Sequence, residues 1–288
     1  MSRYVSTTRL AVGGVACIFI AVTPASHVTA QNAAAPPDFF SGQAAWQTPN
    51  AGPVCVASQR CGEFGAVPGS PRPLRQDPAH PFVPNLTGKQ PTYRIGDLSD
   101  TNLKEWAKAL MKKDNDEVLA GKIAYTPSSS CKPAGVPALM LSGGPFYFLQ
   151  MPKEVVIIME DDHEVRHVYL DVPHSANPKP SWYGESVGHY EGNALVIDTI
   201  GLNTKTFVDN YRTPHTEKLH VVERWRLIDE GKQVEVRLTI DDPDTYNQPW
   251  QGLRTYRRVQ GTLQEIACAE NNQHLFDYRI PVADKPDF

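Results

Sequence analysis

Beyond Gln31 the chain has no apolar run longer than Val155–Met159, so no segment there is long enough to cross a bilayer as a helix. It has no Gly-x-Gly-x-x-Gly and no Walker A loop, and strand-like runs do not alternate with helix-like ones. A doubly wound nucleotide-binding fold is therefore excluded. A basic excess is also missing: 28 Lys and Arg stand against 32 Asp and Glu, which argues against a nucleic-acid partner and a polybasic membrane anchor. No Cys-x-x-Cys pair is present, which weakens a zinc reading, and no internal repeat aligns.

What is present begins with a leader. Arg3 and Arg9 precede the apolar run Leu10–Val22, and Val28 and Ala30 are small residues at −3 and −1 before Gln31. That pattern predicts a secretory signal peptide over residues 1–30; the apolar run continues past Cys17, which disfavours a lipoprotein site. Its removal leaves 258 of the 288 residues, with 26 basic and 32 acidic side chains and a charge of −6. The expected location is periplasmic or secreted. There the remaining Cys55, Cys61, Cys131 and Cys268 would form two disulfides, in any of three pairings. Cys55–Cys61 as a local loop and Cys131–Cys268 as a long-range staple are the favoured pairs. Chain entropy gives the long loop roughly 4–5 kcal/mol.

Residues 31–95 hold eleven of the 25 prolines and no sustained period, so they read as an extended arm, ordered where cysteines pin it or aromatics dock. Residues 96–288 read as the folded domain. Leu103, Trp106, Ala107, Leu110 and Met111 form the apolar stripe of one amphipathic helix, with Asp100 or Thr101 as cap and Gly121 as stop. That stripe suits covering one side or end of a sheet. From Phe146 onward the chain reads as strands, at 155–160, 164–171, 194–200, 219–228, 233–241 and 252–260. Hairpin connections are expected at Asp161-Asp162-His163, Glu191-Gly192-Asn193 and Asp229-Glu230-Gly231. The expected fold is mainly β: an antiparallel barrel or calycin-like meander of about eight to ten strands, with one covering helix and a Pro-rich N-terminal arm.

The densest polar run spans Pro214 to Arg224. On a strand, Leu219, Val221, Glu223, Trp225 and Leu227 share one face, so Glu223 projects into the lumen and needs a partner, with Arg237 or Arg254 available. His215, Glu217 and His220 gather at the strand's mouth; their residue types suit a metal, but His-x-x-x-x-His places the two imidazoles on opposite faces of a regular strand. Asp198 shares a face with Val196 and Ile200, which predicts a second lumenal carboxylate. Gly184-Glu185-Ser186-Val187-Gly188 has the letters of a nucleophile elbow without the strand–turn–helix that the elbow requires, so Ser186 is not read as a nucleophile. Gly184 and Gly188 read instead as bends of a closed sheet, and Trp182 and Tyr183 as a pocket floor. Asp241-Asp242-Pro243-Asp244 reads as a solvated acidic turn rather than a calcium loop. Glu270-Asn271-Asn272 follows the proposed staple.

Ser181-Trp182-x-Gly184-x-Ser186-x-Gly188-x-x-Glu191-Gly192, Pro214-His215-x-Glu217-x-Leu219-x-Val221-x-Glu223-Arg224 and Cys268-x-Glu270-Asn271 together resemble the signature of a broad family of exported bacterial proteins of unknown function. The resemblance spans roughly residues 130–275 and implies one exported β domain and no activity. The sequence thus predicts a cofactor-independent acid/base enzyme, a hydrolase or lyase, acting on a small organic or carbohydrate-derived molecule. Asp198, His215, His220 and Glu223 are its candidate catalytic residues; His174, Trp182, Tyr183, Arg224 and Trp225 are candidates for binding substrate. No metal is assigned. The alternative is a calycin-like protein that holds a small ligand in the same lumen without transforming it.

Overall fold

The computed structural model describes residues 35–40, 43–49, 62–82, 94–122, 124, 126–161, 165–261 and 263–268. The expected signal peptide, Cys55–Cys61, His163 and Glu270-Asn271-Asn272 lie outside the described residues. Among the described residues the architecture is mainly β: strands β1 (Ala45–Gln47), β2 (Gly65–Ala66), β3 (Phe146–Met151), β4 (Glu154–Met159), β5 (Val165–Leu170), β6 (Glu185–Glu191), β7 (Ala194–Ile200), β8 (His220–Ile228), β9 (Gln233–Asp241) and β10 (Trp250–Val259), with α-helix α1 (Glu105–Leu119). Neighbours run β1-β3-β4-β5-β6-β7-β8-β9-β10, and β1 pairs back onto β10 to close a nine-strand barrel; β2 adds to the rest of that β10 edge.

Two features depart from the sequence reading. The closing strand comes from the Pro-rich stretch: Trp46 pairs with Phe146 on one side and Arg258 on the other, and Phe39, Trp46 and Phe64 sit in the core. The barrel is also not antiparallel throughout. β5 and β6 pair in parallel at Val168↔Ser186, Tyr169↔Val187 and Leu170↔Gly188. Parallel neighbours need a long crossover, and the connection 171–184, with Pro173, Pro178 and Pro180, supplies one. Gly184 ends that crossover at φ +64°, where a Cβ would lie 2.4 Å from the Ile200 carbonyl oxygen. A side chain there is excluded on both counts.

The lumen is filled with rings. Phe148 lies 5.1 Å from Trp225 and 4.8 Å from Phe39, and Phe146 meets Tyr256 edge-on at 4.8 Å, centroid to centroid. Burying each such side chain contributes roughly 1.5–3 kcal/mol, so the barrel's centre is its stabilising core. Helix α1 buries Ala107, Met111 and Asn115, and its start is held by Lys104 N–H donating to Thr245 O rather than by a side-chain cap from Asp100 or Thr101. Cys131 and Cys268 form a disulfide across 137 residues. Among the described residues no helix is long and apolar enough to cross a membrane.

Candidate functional site

The strand alternation sorts the candidate residues onto two faces. On β8, Val221, Glu223 and Trp225 point inward while His220, Val222 and Arg224 point outward, as the sequence pattern requires. On β7 the inward set is Leu195, Ile197 and Thr199, which places Asp198 outside. Asp198 and Glu223 therefore do not share a lumen. The physical reason is legible in hindsight: Ala194-Leu195-Val196-Ile197 is apolar at every position and buried on both faces, so its pattern carries no inside-outside information.

Inside, Glu223 is fully buried and bound by Arg166 of β5, not by Arg237 or Arg254. Arg166 Nη2 donates to Glu223 Oε1 at 2.6 Å and Nη1 to Oε2 at 3.0 Å. The guanidinium also donates to Ser186 Oγ and Thr199 Oγ1, and Trp225 Nε1–H donates to Glu223 Oε2. Every oxygen of the carboxylate is thus occupied. The network spans β5, β6, β7 and β8 beside the three-pair parallel seam, so its work is to hold that seam shut. Ser186, the letter-match for a nucleophile, is one of its hydrogen-bonding members. Trp225 is core, stacked 5.8 Å from Tyr256, and Tyr183 packs against the same core; neither floors a lumenal pocket. Trp182 is half-buried on the crossover.

Outside, a different constellation forms. Asp198 Oδ1 accepts from His220 Nε2 at 2.8 Å and from His174 Nε2 at 2.9 Å. The far nitrogen of His174, Nδ1, lies 3.0 Å from Glu185 Oε1, and Glu185 is itself fixed by the Ser175 N–H and hydroxyl. Glu185, His174, Asp198 and His220 so make a continuous chain from β6 through the crossover to β7 and β8. Asp198 and His220 are 37% and 40% exposed, and His174 21%, leaving the chain open to solvent at the His220 end. His220 Nδ1 has no protein partner among the described residues.

The electrostatics follow from these contacts. The His220 hydrogen bond, with that of His174 behind it, holds the Asp198 carboxyl below its ordinary value of 3.8 against the opposing effect of burial. The same bond pushes the His220 imidazole above 6.5, with Asp241 across the strand adding to it. The Ser175 hydroxyl and N–H draw Glu185 below 4.5.

His215 belongs to neither group. It is buried, its Nδ1–H donates to Thr216 O, and its Nε2 accepts from the Thr206 hydroxyl at 2.7 Å. Burial pushes its pKa below 6.5. The acidic turn is not solvated as expected: Asp242 is buried and its carboxylate accepts from Thr216 N–H and Oγ1, Thr245 Oγ1 and Asp244 N–H. Arg224 donates to Glu191 on the outer face and stands directly opposite Arg237. Among the described residues no group of three or more His, Cys, Asp or Glu side chains could hold a metal ion.

The structure therefore gathers Asp198, His220 and His174, and it separates Glu223 and His215 from them. Arg166, Glu185 and Ser175, to which the sequence assigns no site role, join these networks. Arg166 carried a usable signal, since Arg166, Val168 and Leu170 alternate as an inward face; Glu185 and Ser175 carried none.

No protein-family model matches the chain, and no curated protein matches it. Among solved structures, one described as "REP1-NXSQ fatty acid transporter" aligns with 47% of this chain and 88% of its own, at 12% identity and a TM-score of 0.27. A likeness of that degree says nothing of what this chain binds or does.

Proposed function

We propose that the protein is an exported enzyme of the acid/base type, a hydrolase or lyase, whose centre is the outer-face chain Glu185–His174–Asp198–His220. The observation that carries this reading is the oriented imidazole. Asp198 fixes the proton of His220 on Nε2, so the lone pair of the neutral ring lies on Nδ1, which has no protein partner among the described residues. A carboxylate-oriented imidazole with a pKa pushed above 6.5 is a proton-transfer group suited to neutral pH. In this reading His220 takes a proton from a water or from a carbon next to a carbonyl, and returns it to the leaving group. His174 has both ring nitrogens engaged with carboxylate oxygens, of Glu185 and Asp198, and serves to position Asp198. The substrate is a small molecule reaching the barrel's outer face, and the periplasm or the medium is where the protein would meet it.

The test is a panel of small esters, lactones, amides and β-substituted carbonyl compounds incubated with the full chain and read by mass. Conversion of one of them should fall by at least about 100-fold in His220→Gln and in Asp198→Asn, with folding unchanged. Conversion that survives both substitutions, or no mass change across the panel, rules the reading out. A non-catalytic ligand-holding lumen is not favoured, because the rings described above occupy the barrel's centre.

A further inference from the structure

The connection between β7 and β8 and the first half of α1 enclose a groove of about 320 Å³ that plays no part in the proton-transfer site. Its size lies at the lower end of that of small-molecule sites. One wall is Trp106 and Leu110 of the helix; the other is Phe207 and Pro214. Trp106 is 42% exposed although it belongs to the helix's apolar stripe. Its ring is not loose: Nε1–H donates to the Asp244 carbonyl at 2.6 Å, which fixes an aromatic surface at the groove's edge. The floor is the His215–Thr206 pair, already hydrogen-bonded to each other and neutral through burial.

The charge in the groove is one-sided. Lys205 is exposed, lines the groove, and makes no ion pair with any described residue. Among the described residues no carboxylate lines it. Of the acids nearby, Asp244 pairs with Lys218, Glu105 with Lys108, and Asp242 is saturated by Thr216, Thr245 and Asp244 N–H, while Glu217, next to the lining Thr216, is exposed and is not itself a lining residue. A fixed aromatic edge, apolar walls and one unsatisfied cation select a ligand of complementary make-up. We infer that this groove binds a small aromatic or apolar monoanion, its apolar body against Trp106 and Phe207 and its carboxylate on Lys205. The inference is independent of the outer-face chain and holds whether or not that chain is catalytic.

The full chain is titrated with trans-cinnamate and with cinnamyl alcohol, its uncharged counterpart, by calorimetry and by quenching of tryptophan fluorescence at low ionic strength. Cinnamate should bind saturably, about tenfold more tightly than the alcohol. Lys205→Gln, a change at an exposed side chain that leaves the fold intact, should bring cinnamate down to the alcohol's affinity. Phe207→Ala should weaken both ligands several-fold. Equal binding of acid and alcohol overturns the inference, as does a cinnamate affinity unmoved by Lys205→Gln, or no saturable binding of either ligand up to about 10 mM.

Discussion

His220 Nε2 stands 2.8 Å from Asp198 Oδ1, and that hydrogen bond joins β8 to β7 across the outside of the barrel. It is both the contact that lifts the His220 pKa and the contact that leaves Nδ1 free. Asp198→Asn keeps the shape and removes the charge. In that variant the His220 imidazole should titrate lower, toward its ordinary value of 6.5, in an NMR pH series. A His220 pKa that does not move would assign the shift to Asp241 instead.

The same contact sets a pH window for stability. Asp198 is ionised in the unfolded chain above 3.8 and His220 is protonated below 6.5, so the pair contributes fully between those values. Its contribution is lost as pH rises through the raised folded pKa of His220, and as pH falls through the depressed one of Asp198. Urea unfolding of wild type and His220→Gln should differ most inside the window and converge above it. A gap of equal size at about pH 5 and about pH 9 would mean that charge is not its source.

His215 acts in the opposite sense. Its folded pKa lies below 6.5, so as pH drops beneath that value the unfolded chain takes up a proton that the folded one refuses. Wild type should therefore lose stability on the acid side, and His215→Gln, which cannot titrate, should lose less between pH 7 and pH 5, as followed by chemical denaturation at about those two values.

Glu223 and Arg166 are 0% and 2% exposed, and removing one partner strands the other's charge in the core. Glu223→Gln should cost about 3–5 kcal/mol in urea unfolding. Replacing both partners, as in Arg166→Met with Glu223→Leu, should recover most of that loss. A single substitution costing under about 1 kcal/mol would remove the seam-closing role assigned to the pair.

The Cys131–Cys268 link closes a 137-residue loop in the unfolded chain. Cys131→Ser should lower stability by about 3–5 kcal/mol under oxidising conditions. Peptide mapping without reduction should recover the two cysteines in one linked peptide.

The sequence by itself determined β4, β5 and β7 to β10, from short apolar or alternating runs bounded by turn residues. β6 (Glu185–Glu191) is not among the expected strands, because Gly184-Glu185-Ser186-Val187-Gly188 reads as bends rather than as a β-rich run. β7 and β9 run from the residues expected, and the inward position of Glu223 follows from β8 alone. Tertiary structure decided the rest, and each case has its own reason. Strand β1 is three residues long in a Pro-rich stretch, so nothing local distinguishes it; only the open edges of β3 and β10 recruit it. Asp198 sits on a strand buried on both faces, where a period of two cannot say which side is out. His174 meets Glu185, the first residue of β6, only through the path of a crossover that depends on β5 and β6 pairing in parallel. Periodicity is a property of one strand; which strands stand side by side, and hence which imidazole meets which carboxylate, is settled only when the barrel closes.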